Sequence, residues 1–186
     1  DILDGGNDGD ILYGEAGNDT IIGGSGQDYL DGGDGVDTVV YAGSSAGVTV
    51  DLAAGTARGG DADGPVQIVG RGTVIRHDIL AGFENAVGSV HNDRLLGNAQ
   101  ANVLSGGLGD DTLAGGAGTD TLNGGAGRDT ADYRSSTSGV SIALGGGRSG
   151  GDFYTSIENL AGSGYADRIR GDDAANLLTG QGGNDQ

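Results

Sequence analysis

A single apolar residue recurs every nine positions along much of this chain: Leu12, Ile21, Leu30 and Val39 near the start, Leu113 and Leu122 further on. Each sits in the middle of a three-residue run that follows six positions rich in glycine and acid. One inward side chain in a short extended run is the signature of a three-residue strand. The six-residue part carries glycines where a positive φ is needed and reads as a turn. Turn, strand, turn and strand together close a coil of 18 residues. Turns nine residues apart then lie on opposite edges, and turns 18 apart stack directly. No segment has a 3.6-residue apolar period, so almost no helix is expected.

The nonapeptides fall into three blocks in one phase. From Gly5 they read GGNDGDILY, GEAGNDTII, GGSGQDYLD and GGDGVDTVV; from Gly88, GSVHNDRLL, GNAQANVLS, GGLGDDTLA, GGAGTDTLN and GGAGRDTAD; from Gly162, GSGYADRIR, GDDAANLLT and GQGGNDQ. Two spacers separate them and betray a larger duplication. Residues 37–61 match 129–152, and Phe83-Glu84-Asn85 matches Ile157-Glu158-Asn159. The first copy carries extra residues, roughly Ala62 to His77. Val48–Leu52 and Val140–Leu144 alternate as strands do, and Gln67-Ile68-Val69 with Thr73-Val74-Ile75-Arg76 reads as a hairpin inside the insertion. The expected organisation is all-β and continuous over 1–186: block one 1–40, spacer 41–87, block two 88–132, spacer 133–161, block three 162–186. Ala131, small at an inward place, suits the end of a roll. The chain begins and stops midway through repeats and reads as a piece of a longer repeat protein.

Composition sharpens the picture. The 27 acids, 24 of them Asp, face nine basic residues, all Arg, for a net charge of −18. Such a charge repels nucleic acid and anionic membrane. Cysteine is absent, so no disulfide or thiolate metal site is available. No run approaches the ~20 apolar residues of a membrane span. With 43 glycines and 4% aromatic residues a conventional core is out of reach, and without a staple this composition is that of a disordered chain. Bound metal is one such staple.

The sixth place supplies it. Asp10, Asp19, Asp28 and Asp37, then Asp93, Asn102, Asp111, Asp120 and Asp129, then Asp167, Asn176 and Asp185 occupy it. Stacking brings these carboxylates together in pairs, which is unfavourable unless a cation lies between them. Calcium takes 6–8 oxygens in flexible geometry and suits such a cage, whereas magnesium demands a tighter octahedron.

These nonapeptides resemble the RTX, or hemolysin-type, calcium-binding repeats GGxGxDxUx. The resemblance implies a parallel β-roll with calcium in both edge rows, about six ions here. It further implies that the lower turn of each site gives the carbonyls of places two and four and the upper turn those of places one and three, each with its sixth-place side chain. Carried over by position, the sites are Gly6, Asp8 and Asp10 with Gly23, Ser25 and Asp28; Glu15, Gly17 and Asp19 with Gly32, Asp34 and Asp37; and Ser89, His91 and Asp93 with Gly106, Leu108 and Asp111. The others are Asn98, Gln100 and Asn102 with Gly115, Ala117 and Asp120; Gly107, Gly109 and Asp111 with Gly124, Ala126 and Asp129; and Ser163, Tyr165 and Asp167 with Gly180, Gly182 and Asp185. Asn102 and Asn176 depart from the carboxylate. Asp8, His91, Gln100, Tyr165 and Ala174 depart from the fourth-place glycine, and turns containing these departures are expected to bind weakly or not at all.

No other constellation carries chemistry. His77 and His91 lack patterned partners, and no nucleophile elbow surrounds any serine. Arg58, Arg71 and Arg76 read either as solvated surface or as a site for a polyanion such as an acidic polysaccharide. Tyr41 and Tyr133 occupy equivalent places and read as packing residues. The expected function is a non-catalytic calcium-folded module of a secreted bacterial protein, with type I export implied by the resemblance. The alternatives are an accessory module of an extracellular enzyme, such as a polysaccharide epimerase or a protease, and a segment of an adhesin or surface-layer protein.

Overall fold

Each three-residue strand is too short to stand alone, so it must pair with the strand one full coil away. In the computed structural model this pairing is parallel and in the register of the repeat: Leu3 faces Ile21, Leu12 faces Leu30, Ile21 faces Val39, and Leu104 faces Leu122. The structure describes residues 1–62, 67–69, 73–75, 77–145, 148–149 and 151–186, with 67–69, 73–75 and 148–149 described by their backbone.

Among the described residues the strands form two large sheets, a parallel β-roll. The eight-stranded sheet runs Ile2–Asp4, Thr20–Ile22, Thr38–Val40, Asn85–Val87, Val103–Leu108, Thr121–Ala126, Asp152–Thr155 and Arg148–Ser149. The ten-stranded sheet runs Ile11–Tyr13, Tyr29–Asp31, Asp78–Ala81, Thr56–Arg58, Thr49–Asp51, Arg94–Leu96, Thr112–Ala114, Thr130–Asp132, Asn159–Ala161 and Leu177–Thr179. Between them lies one column of apolar side chains, with Ile21, Leu30, Val39, Val50, Leu95, Leu104, Leu113 and Leu122 sealed from solvent. Among the described residues one 3-10 turn, Gly60–Ala62, is present and no helix is long and apolar enough to cross a membrane.

The spacers enter these sheets as antiparallel strands. Thr49–Asp51 turns back as Thr56–Arg58, and Asp78–Ala81 pairs antiparallel with the latter and parallel with Tyr29–Asp31. In the second copy Arg148–Ser149 pairs antiparallel with Asp152–Thr155, which lies parallel to Thr121–Ala126. The equivalent strands join opposite sheets because the preceding repeats end in opposite sheets, Thr38–Val40 in one and Thr130–Asp132 in the other. Ser141–Ala143 pairs with Arg168–Arg170 in a small separate sheet. The expected hairpin inside the insertion is present as Gln67–Val69 against Thr73–Ile75; Arg71 and Arg76 lie outside the described residues. Two expectations need correction. Ala131 is buried but ends nothing, since Thr130–Asp132 pairs onward with Asn159–Ala161. The residue of the first copy that plays the part of Asp152 is Asp78, not Asp61: Tyr41 Oη donates to Asp78 and Tyr133 Oη to Asp152, at 2.7 and 2.6 Å. Both tyrosines pack against the core as expected, and each also caps a buried carboxylate.

Candidate metal centre

The turns expose their logic through the sixth place. In each of six stacked pairs one oxygen of the upper carboxylate accepts the backbone N–H of the sixth-place residue one coil earlier. Asp10 N–H donates to Asp28 Oδ1 at 2.9 Å, Asp19 to Asp37 at 2.8 Å, Asp93 to Asp111 at 2.8 Å, Asn102 to Asp120 at 2.9 Å, Asp111 to Asp129 at 2.8 Å and Asp167 to Asp185 at 3.0 Å. All six pairs drawn from the repeat spacing are therefore brought together. The turns also stack by their third places, where Asn7 bridges Ser25 and Ala16 bridges Asp34.

The second oxygen divides the turns into two kinds. In Asp10, Asp19, Asp28, Asp37, Asp111, Asp120 and Asp129 the Oδ2 atom is buried and has no hydrogen-bond partner. It lies against the first glycine of its own turn. A Cβ on Gly106 would sit 2.1 Å from Asp111 Oδ2 and 2.6 Å from the Gly124 carbonyl of the next turn, and one on Gly14 would meet Asp19 Oδ2 and the Gly32 carbonyl in the same way. The glycine thus leaves a small cradle into which a carboxylate oxygen and a carbonyl oxygen both point. The second place of these turns needs positive φ, and even Glu15 adopts it, at 69°.

In the degenerate turns the same oxygen is already satisfied. Ser89, Asn98, Ser163 and Asp172 hold the second place without positive φ, so their N–H groups turn inward. Ser163 N–H donates to Asp167 Oδ2 at 2.6 Å and its hydroxyl to Oδ1 at 2.7 Å. Ser89 bonds Asp93 through both groups in the same manner. Asn98 N–H reaches Asn102 Oδ1 at 2.8 Å, and Asp172 N–H reaches Asn176 Oδ1 at 2.9 Å. The two asparagines then use Nδ2 as a donor across the stack, to the carbonyls of Glu84 and Glu158 at 2.7 and 3.0 Å. An amide hydrogen stands where a regular turn presents only negative oxygens.

Electrostatics follows the same division. Burial pushes Asp111 up to about 7, partly offset by the Asp93 N–H and reinforced by the Asp93 and Asp129 carboxylates. Burial likewise raises Asp120 to about 6 and raises Asp28 and Asp129. For Asp167 burial also acts upward, but the Ser163 hydroxyl and the N–H groups of Val140 and Ser163 outweigh it and hold the carboxyl low. A carboxylate short of donors in a buried turn is favoured by a cation; one already solvated by its own turn is not.

Among the described residues no three acidic or imidazole side chains gather. Each candidate cage therefore combines carboxylates in stacked pairs with backbone carbonyls, a hard all-oxygen set that suits calcium. His91 is exposed and its N–H donates to Ser89 Oγ. Arg58 is exposed, whereas Arg94 and Arg134 bind Asp132 and hold its carboxyl down to about 2 against the effect of burial.

Four acids missed in the sequence join the rows. Asp78 and Asp152 accept the N–H groups of Asp28 and Asp120, and Glu84 and Glu158 those of Asp37 and Asp129, all at 2.9 Å. The usable signal was the duplicated spacing from Asp78 to Glu84-Asn85 and from Asp152 to Glu158-Asn159. A family model of the RTX calcium-binding nonapeptide repeat matches the chain in four copies, at residues 4–39, 87–122, 96–131 and 155–186, together more than half of its length. No curated protein matches the chain.

Proposed function

The chain belongs to the family of RTX calcium-binding nonapeptide repeats, a structural calcium-binding module and not a catalytic one, and on that premise we propose a module of a secreted protein that folds on calcium after export. The observation that carries the reading is the set of seven buried Oδ2 atoms without a hydrogen-bond partner, each in a regular turn. Calcium is the ligand that the chemistry of these turns fits. Asp10 with Asp28, Asp19 with Asp37, and Asp111 with Asp129 are the steps we assign to ions first, because both members of each pair keep such an oxygen; this revises the weak binding expected of the Asp8 turn, where Asp8 itself takes positive φ, 73°, and Asp10 Oδ2 stays without a partner. The lower turns of the Asp93–Asp111, Asn102–Asp120 and Asp167–Asp185 steps are closed by hydrogen bonds, and we assign them the weakest binding or none.

Extracellular calcium modules work with dissociation constants of about 10⁻⁴–10⁻³ M, which keeps such a chain metal-free inside a cell and loaded outside it. This supports location outside the cell and passage through a type I exporter as an unfolded chain. We read residues 1–186 as one solenoid, supported by sheet order that passes from Thr38–Val40 through Asn85–Val87 to Val103–Leu108. Equilibrium dialysis tests the core of the proposal. The expected result is saturable uptake of several calcium ions, with magnesium at equal concentration failing to displace them. Absence of uptake, or equal binding of magnesium, would sink it.

A further inference from the structure

We propose that Glu84 and Glu158, in the spacers, each complete a further calcium site with the nonapeptide aspartate one step below, Asp37 and Asp129. The inference rests on the calcium reading above and extends it beyond the repeats. Asp37 and Asp129 are fully buried, and the Oδ2 atom of each has no hydrogen-bond partner. Both stand at the last repeat of their block, where no further nonapeptide follows to supply an upper turn. The spacer supplies one instead.

The replacement turn reproduces the regular cradle. A Cβ on Gly32 would meet the Gly82 carbonyl at 2.5 Å and Asp37 Oδ2 at 2.8 Å; one on Gly124 would meet the Ser156 carbonyl at 2.1 Å and Asp129 Oδ2 at 2.4 Å. In the regular step at Gly14 the corresponding carbonyl and carboxylate distances are 2.4 and 2.8 Å. The carbonyl oxygens come from Gly82 and Ser156, which take positive φ, 66° and 52°, whereas Gly23, Gly32 and Gly124, which present this oxygen in the nonapeptide turns, do not; the shorter spacer turn brings a carbonyl to the same point by a different backbone path. The next residue, Phe83 or Ile157, is buried in the core and pins the turn.

The glutamate has a geometric reason. In a nonapeptide the first-place carbonyl and the sixth-place acid are five residues apart; here only one residue separates them. The short turn is hydrogen-bonded onto the carbonyl beneath, with Asn85 N–H to Asp37 O at 3.0 Å and Asn159 N–H to Asp129 O at 2.8 Å. A side chain longer by one methylene lets Oε2 reach the N–H groups of Asp37 and Asp129 at 2.9 Å, the place Oδ1 of a sixth-place Asp takes elsewhere. The arrangement occurs twice, in two copies whose spacers differ in length and enter opposite sheets. One step further the amides of Asn102 and Asn176 donate to the Glu84 and Glu158 carbonyls, and the run of ion-binding steps stops there.

Native mass spectrometry of the calcium-loaded full chain, beside Glu84→Gln, Glu158→Gln and the double variant, provides the test. The carboxamide keeps an oxygen for the N–H below but loses the charge. One ion fewer is expected for each single variant and two fewer for the double. Unchanged ion numbers in folded variants would overturn the glutamate sites while leaving the repeat sites standing. An unsubstituted chain that takes up no calcium would overturn both readings. A crystal structure of the unsubstituted chain grown with calcium removes any dependence on how the variants fold. An ion within about 2.6 Å of Asp37 Oδ2 and of a Glu84 oxygen supports the proposal; a water molecule or empty density at that point refutes it.

Discussion

Withdrawing calcium should unfold this chain at neutral pH, and the size of the effect follows from the turns. Seven buried carboxylate oxygens have no hydrogen-bond donor. A buried acceptor left unsatisfied costs about 1–3 kcal/mol, and more when charged. Seven of them cost about 7–20 kcal/mol, which equals or exceeds the about 5–15 kcal/mol that holds an ordinary domain folded. The core cannot offset this, because it is one narrow column with one inward residue per half-coil in the repeats, mostly aliphatic and joined at the spacers by Tyr41, Phe83 and Tyr154. Calcium at ten to a hundred times its dissociation constant contributes about 1.4–2.7 kcal/mol per site by mass action. Over three regular steps and two glutamate steps that sums to about 7–14 kcal/mol, the size of the cost it must offset. The assay is far-ultraviolet circular dichroism with size-exclusion chromatography, in excess chelator and then across a calcium titration. The chelated chain should be expanded and lack β signal, and the signal should return cooperatively as calcium rises. A full β spectrum with a compact elution volume in excess chelator at neutral pH would refute the reasoning, since the orphaned oxygens would then be tolerated without a cation.

Asp111→Ala should remove bound calcium, whereas Asn102→Ala should leave the ion number unchanged and cost about 1–3 kcal/mol of stability through its lost amide bonds; equal ion counts for the two variants would break the assignment of regular and closed turns. Acid should act in opposite directions with and without the metal: Asp111 and Asp120 sit at about 7 and about 6 in the metal-free fold, against 3.8 for an ordinary Asp, so protonation stabilises that fold fully below the ordinary value and the gain is lost as pH rises through 6 to 7. Partial recovery of β signal in chelator at about pH 5, together with a calcium midpoint that rises as pH falls, is therefore expected; a pH-independent midpoint would contradict it. Tyr41→Phe and Tyr133→Phe each remove a hydroxyl donor from a buried carboxylate, Asp78 or Asp152, and should each cost about 1–3 kcal/mol in a thermal melt of the calcium-loaded chain; unchanged melting of both would return these side chains to packing alone.

The sequence by itself determined the coil. Glycine at places of positive φ and one inward aliphatic residue every nine positions are local constraints, and they leave the chain no other regular shape. An 18-residue coil then places Asp10 beneath Asp28 and Asp111 beneath Asp129 without any knowledge of the rest of the molecule. Calcium was legible for the same reason, because repeating the turn repeats the carboxylate. Three things waited for the tertiary structure. Closure of the degenerate turns depends on whether a second-place N–H faces inward, which is set by the backbone angles of Ser89, Asn98, Ser163 and Asp172 and not by their identity alone. The equivalence of Asp78 with Asp152 was hidden by the insertion, which makes a GGD match at Asp61 look as good in one dimension. The entry of Glu84 and Glu158 into the rows lies outside any nine-residue count: residues 37 and 84 are 47 apart along the chain. They meet because Asn85–Val87 pairs with Thr38–Val40 in the sheet. A periodic sequence fixes contacts at its own period, while contacts across a spacer are fixed only by the strand pairing and core packing that bring its two ends together.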